Sequence, residues 1–157
     1  MHPWGLRMRR RWLHVLLSFA VLAGATGAQA AEPARCARDD FYVAVDEAAA
    51  ALRELNLKNR PAFQDRLREL KDKRGWSQDR FIVEAAPFVR DSEIEAFDAR
   101  SDEALRKITE MGQEGGRAKT PDCRLLAELR GYMQALVEIQ TAKWAYMFAK
   151  IEAAGGK

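Results

Sequence analysis

Histidine is nearly missing from this chain of 157 residues, because its only two copies are His2 and His14 at the amino terminus. If the first 30 residues are a signal peptide that is removed on export, the remaining chain has no imidazole. That absence excludes Ser-His-Asp and Cys-His catalysis, a haem with a histidine ligand and nearly every zinc site built on imidazole.

Cysteine, proline and glycine are also scarce. The chain has two cysteines, five prolines and ten glycines, and no segment alternates polar with apolar residues long enough for a strand. There is no C-x-x-C, D-x-D-x-D-G or E-x-x-H pattern, so redox, covalent haem and carboxylate metal motifs are missing. We therefore expect an all-α protein with no metal and no cofactor.

The amino-terminal segment is typical of a secretory signal peptide. Four arginines precede Trp12, an apolar run follows at residues 13–25, and Ala28-Gln29-Ala30 gives a small-x-small cleavage site. The run is shorter than the roughly 20 apolar residues of a membrane span. We expect cleavage after Ala30, no stable membrane span afterwards and a periplasmic location. Residues 9–11 also match a twin-arginine pattern loosely, so both export routes stay open, as does release into the medium.

The mature chain, residues 31–157, has the length of a single helical domain with a core of its own. Four of the 26 basic residues leave with the signal, so 22 basic residues remain against 23 acidic ones. Nucleic acid binding needs a concentrated positive surface. We therefore expect no nucleic acid partner.

Cys36 and Cys123 form an even pair in an exported protein, which predicts a disulfide bond. The bond would join the beginning of the mature chain to the start of the last helix and close a loop of about 87 residues. A pair of free thiols is the alternative.

Residues 39–75 are predicted to form two helices. The first runs from Asp39 to Asn56; the second begins at Pro61, which suits a first helical position, and ends at Gly75. Apolar residues spaced by three and four give each helix an inward stripe. The stripes are Phe41, Val45, Ala48, Leu52 and Leu55 in the first helix and Phe63, Leu67 and Leu70 in the second.

Two further helices are predicted before a glycine-containing loop at residues 112–119. Ser77 begins a short helix that Pro87 interrupts, since the residue before proline is pushed away from helical geometry. Ser92 and Glu95 form a capping box at the start of the next helix. The apolar faces are Phe81, Ile82 and Ala85 in the short helix and Ile94, Phe97, Leu105, Ile108 and Met111 in the longer one.

The last helix is predicted to open at Thr120-Pro121 and to run to about Ala153. Its apolar stripe consists of Leu126, Leu129, Met133, Leu136, Val137, Trp144, Met147, Phe148 and Ile151, with Gln140 at the edge as a satisfied core amide or a ligand contact. The opposite face has a strip of small residues: Ala127, Gly131, Ala135, Ala142, Ala145 and Ala149. These permit close approach of another helix, or they reflect helix propensity on a solvated face. We expect a four- to five-helix bundle around this long, central C-terminal helix.

With these motifs missing, a non-catalytic binding role is favoured over a common enzyme. The classes that fit are an inhibitor, an immunity-like protein, a chaperone or an accessory protein of the cell envelope, each with a protein partner. The candidate partner surface is aromatic and comprises Trp76, Phe88, Tyr132 and Tyr146, because exposed aromatic residues mark interfaces.

Arg60, Lys71 and Glu84 give an enzymatic alternative. The spacing of Arg60 and Lys71 resembles the motif of the all-helical chorismate mutases, some of them exported, and Glu84 follows at a similar distance. The resemblance covers about 25 residues, and it implies a histidine-free enzyme that acts on a small anionic substrate. The chain lacks the family's D-x-x-R-E and the arginine of its first helix, where Phe41-Tyr42-Val43 stand, so no catalytic role is assigned by resemblance.

Overall fold

The computed structural model describes residues 35–156, and the predicted signal peptide lies outside them. The described residues form four helices: α1 (Asp39–Arg74), α2 (Gln78–Val89), α3 (Ser92–Arg117) and α4 (Cys123–Gly155). No strand occurs between residues 35 and 156. The predicted all-α bundle is confirmed, with four helices.

Helix α4 is the centre of the bundle, as predicted. It contacts the other three helices, whereas α1 and α3 both lie along it and have few contacts with each other. Cys36, just before α1, is bonded to Cys123 at the beginning of α4, and Arg74 at the end of α1 donates to the carbonyl of Ala154 near the end of α4. Helices α1 and α4 therefore run parallel over about 50 Å.

Helix α3 runs antiparallel to both long helices. Its first residues lie beside the end of α4, since Asp91 accepts a hydrogen bond from Tyr146. Its last turn lies at the beginning of α1, where Gly115 faces the ring of Phe41. Helix α2 connects α1 to α3 across the end of the bundle.

The core has two buried clusters along α4. One lies near the disulfide and contains Phe41, Ala44, Leu126, Leu129 and Met133, with Cys36 packed against it. The other lies near the end of α4 and contains Phe63, Leu67, Leu70, Ile94, Met147 and Ile151. Members of the predicted α4 stripe occur in both clusters, and Trp144 and Phe148 pack against the one that contains Met147 and Ile151.

One helix stands where two were predicted between Asp39 and Gly75. Pro61 lies inside α1, on its exposed side next to Leu57, so water can reach the carbonyl that the proline leaves without a donor. An interior proline costs about 3 kcal/mol. Burying Phe63, Leu67 and Leu70 against α4 yields roughly 1.5–3 kcal/mol each, which outweighs that penalty. The predicted end of the helix at Gly75 is confirmed, with φ of 63° and hydrogen bonds from Gly75 and Trp76 back to Asp72 and Lys71.

Three further boundaries differ from the predictions. Helix α2 continues through Pro87 to Val89, because the proline is exposed at the last turn. Helix α3 is capped by the side chain of Asp91, not by Ser92. Helix α4 begins at Cys123, where Asp122 caps the amides of Arg124 and Leu125 at 2.8 and 3.2 Å.

The predicted loop at residues 112–119 is largely helical, because α3 continues to Arg117. Packing explains the difference: Gly115 is buried against Phe41, and a glycine allows the two helices this close an approach.

The strip of small residues on α4 is largely open to solvent. Ala127, Gly131, Ala142, Ala145 and Ala149 are exposed, and Ala135 is half-buried. Of the two interpretations, the described residues fit helix propensity on a solvated face.

The carboxyl end of α4 is capped by α1. Lys73 donates to the carbonyl of Gly155 and Arg74 to that of Ala154. The last carbonyls of a helix have no partner within it and carry its negative dipole end, so these two cations stabilise α4. The basic residues in the final turn of α1 thus cap the carboxyl end of α4.

Candidate functional site

Asp91 connects three helices at one end of the bundle. Its carboxylate caps α3 by accepting the amide of Ile94 at 2.8 Å, and it accepts the hydroxyl of Tyr146 at 2.9 Å. Lys150 donates to the same carboxylate and to the carbonyl of Pro87 at the end of α2. The group therefore joins α2 and α3 to α4.

Hydrogen bonds shift the pKa values of both Asp91 and Tyr146 away from neutral pH. The hydrogen bond from Lys150, followed by that from the amide of Ile94, lowers the pKa of Asp91 from 3.8 to about 2. The hydrogen bond to Asp91 and burial raise the pKa of the Tyr146 hydroxyl above its ordinary value of 10. The carboxylate is therefore charged and the phenol neutral around pH 7, and the hydrogen bonds from Tyr146, Lys150 and Ile94 all go to a charged acceptor.

Asp91→Asn is expected to lower the melting temperature by several degrees at pH 7. The amide can still cap α3, but it loses the charge that Lys150 faces. Because the pKa of Asp91 is lower in the folded chain, its stabilising contribution is complete above its unfolded value near 4 and is lost as the pH falls towards 2. Thermal unfolding from pH 7 to pH 2 measures the difference between variant and wild type, which should shrink across that window.

The matched control is Asp102→Asn, an exposed carboxylate of α3 that makes no ion pair within residues 35–156. This variant should follow the wild type at every pH. A constant difference between Asp91→Asn and wild type from pH 7 to pH 2 would show that the charge of Asp91 contributes nothing to stability.

Further polar contacts join α3 to α4. Gln140 donates to the hydroxyl of Ser101 at 2.7 Å, and that hydroxyl donates to the carbonyl of Phe97 at 2.9 Å. Lys143 donates to Asp98. Gln140 is therefore a hydrogen-bonded amide of the helix interface, which is the first of its two predicted roles.

The structure gives Arg60, Lys71 and Glu84 separate environments. Arg60 and Lys71 lie on α1 about 16 Å apart along the helix axis. Lys71 donates to Gln78 at 2.9 Å, and its Nζ lies 5.6 Å from the centre of the Phe81 ring. Glu84 pairs with Arg80 at 3.2 Å. Arg60 lines a depression of about 330 Å³ whose other described residues, Arg53, Asn56, Leu57 and Pro61, all belong to α1.

The aromatic residues of the candidate partner surface are all half-buried. Trp76, Phe88 and Tyr146 pack against the core cluster near the end of α4. Tyr132 lies on α4 about 21 Å from Tyr146 along the axis. These four side chains do not form one exposed patch, since three of them anchor α2 and α3 to the core.

Among residues 35–156, the most exposed group of large apolar side chains lies on α2. Ile82 is 67% exposed, Val83 72% and Val89 48%, and Ala86 lies exposed between them. On a helix with 100° per residue these four positions fall within about 120° of arc. We call them the α2 outer face. Phe81 and Phe88 on the opposite side pack against the core, which fixes the direction in which this face points.

Sequence reasoning placed Ile82 on the inward face, and that was wrong. Apolar side chains surround most of α2, so periodicity does not tell its buried side from its exposed one. Two aromatic residues seven positions apart, Phe81 and Phe88, were the available signal, because large rings gain most from burial.

A second candidate is a depression of about 340 Å³ between α1 and α4. Its floor is apolar, and its rim has charges of both signs. The lining residues are Ala44, Glu47, Ala48, Arg130, Met133, Gln134 and Val137. No set of polar side chains converges on it, which distinguishes it from a catalytic pocket.

Residues 35–156 contain no group of three or more potential ligands placed to hold a metal ion. Within the same residues, no helix has both the length and the apolar character needed to cross a membrane. No family model, no curated protein and no solved structure matches the chain.

Proposed function

We propose that this protein is an exported, non-catalytic binding protein of the cell envelope, and that the α2 outer face is the surface that contacts its protein partner. The candidates remain an inhibitor, an immunity-like protein, a chaperone or an envelope accessory protein. The observation that carries the proposal is the contiguous exposure of Ile82, Val83 and Val89 on a helix whose other side is anchored in the core.

Energetics supports a role for this face. Ile82 and Val83 are 67% and 72% exposed, so each forgoes about two-thirds of the roughly 1.5–3 kcal/mol that full burial gives. Exposed apolar residues are common one by one, but a contiguous group on one helix side is typical of an interaction surface. The inner side of α2 is fixed by Phe81 and Phe88, which pack against the core. The outer face is therefore already ordered, and binding to it carries no large cost in conformational entropy.

Export is supported by the signal-like segment of residues 1–30 and by the disulfide between Cys36 and Cys123. The small-anion enzyme has no comparable support, because Arg60, Lys71 and Glu84 have different neighbours.

The test uses a photo-crosslinking side chain at position 86, in the middle of the α2 outer face, in protein exported to the envelope. We expect a crosslinked adduct in the wild-type background and about tenfold less in Val83→Glu. The reason is that a carboxylate buried without a partner opposes association.

Val43→Glu is the matched control, since Val43 is also an exposed helical valine but lies on α1. It should retain the adduct, and both variants should melt within a few degrees of the wild type. Equal adduct yields in the two variants, or no adduct in any background, would contradict the proposed surface.

A further inference from the structure

The ends of α2 carry opposite charges beside its apolar outer face. Asp79 lies in the first turn, and its wheel position falls within the arc of Ile82, Val83, Ala86 and Val89. Arg90 directly follows the last residue of the helix, at the opposite end from Asp79, and its backbone is extended. The α2 outer face thus has an acidic residue in its first turn, and an exposed basic residue follows its last one.

Both terminal charges are available to a partner. Asp79 is exposed and makes no ion pair within residues 35–156. The side chain of Arg90 is 82% exposed, and its ion pair with Glu95 has a distance of 3.5 Å. An ion pair this exposed contributes little to stability. Arg90 can therefore pair with another carboxylate instead.

This pattern specifies the chemistry of the partner. A complementary surface has apolar side chains in the middle, a base opposite Asp79 and an acid opposite Arg90. A second α2 meets these requirements when the two helices lie antiparallel across a two-fold axis. Asp79 of each copy then faces Arg90 of the other, and Val83 lies opposite Ala86.

We propose that the chain pairs with a second copy of itself through the α2 outer face, in a symmetric antiparallel contact. The inference rests on the proposed use of this face as a binding surface and names its partner. Across a two-fold axis, each contact between two different residues occurs twice, once in each direction, and such an interface closes into a dimer. Helix α2 has only 12 residues, so the contact is smaller than the usual 800 Å² or so per partner and the dimer is weak.

Sedimentation equilibrium of the purified mature protein measures the pairing, from micromolar to about millimolar concentration. We expect reversible dimers in the wild type. Asp79→Arg and Arg90→Asp should each weaken self-association about tenfold, because symmetry turns both attractive contacts into repulsive ones. An equimolar mixture of the two variants should associate as the wild type does, since each arginine then faces an aspartate.

The mixture also controls for folding, because two misfolded variants would not restore association. A wild type that stays monomeric at every concentration overturns the self-pairing. So does either charge variant that associates as strongly as wild type, or a mixture that remains monomeric. If the purified chain is monomeric while position 86 still crosslinks to a different protein in the envelope, self-pairing is wrong and the proposed function stands. If neither association nor an adduct is found, both are wrong.

Discussion

Replacing Cys36 and Cys123 with serine is expected to lower the free energy of unfolding by up to roughly 4 kcal/mol. The bond joins residues 87 positions apart, and constraining so long a loop removes much of the entropy of the unfolded chain. It also holds the beginnings of two parallel helices together, and Cys36 packs against the cluster of Phe41 and Leu129. Urea unfolding of the double variant measures the loss.

The oxidised and reduced wild-type proteins provide the matched comparison, because their sequences are the same. The reduced protein should unfold at nearly the same urea concentration as the double serine variant, and both should unfold well below the oxidised protein. If oxidised and reduced proteins unfold together, the disulfide does not contribute to the stability of the fold.

Gly115→Ala is expected to lower the free energy of unfolding by roughly 1–3 kcal/mol, the usual penalty for overpacking. A β-carbon at this position would lie 2.5 Å from Cε1 of Phe41, and that ring is itself only 4% exposed. The ring cannot move away without disturbing the cluster around Leu129. The change therefore separates the end of α3 from the beginning of α1.

Gly116→Ala is the matched control, because it is the next residue of the same helical turn and nothing lies within 4 Å of an added β-carbon. Alanine has the higher helix propensity, so this variant should gain up to about 1 kcal/mol. Urea unfolding of the two variants gives the opposite signs directly. A stabilised Gly115→Ala would mean that α3 and α1 are not in close contact at this turn.

Local pattern was sufficient for several features. The apolar spacing around Trp144 predicted the buried stripe of α4, and glycine at position 75 predicted the end of a helix. The cysteine pair predicted the disulfide. These features depend on side-chain periodicity, backbone preference or covalent chemistry, and each can be read from neighbouring residues.

The candidate interaction surface could not be found in the same way. Aromatic character directed attention to Trp76, Phe88 and Tyr146, yet rings of this size gain most from burial and pack onto the core. The aliphatic side chains of Ile82 and Val83 are the exposed ones. Asp91 was also missed, because its partners Tyr146 and Lys150 lie more than fifty residues away along the chain.

The sequence by itself determined the all-α class, the long apolar stripe of α4, the cysteine pair and the absence of histidine after residue 14. Tertiary structure decided where helices continue and which sides they bury. Pro61 stays inside α1 because Phe63, Leu67 and Leu70 gain more from packing on α4 than the proline costs. Gly115 stays helical because Phe41 fills the space beside it. Only one side of helix α2 faces α1 and α4, and Phe81 and Phe88 occupy that side. Ile82 and Val83 lie on the other side and are therefore exposed.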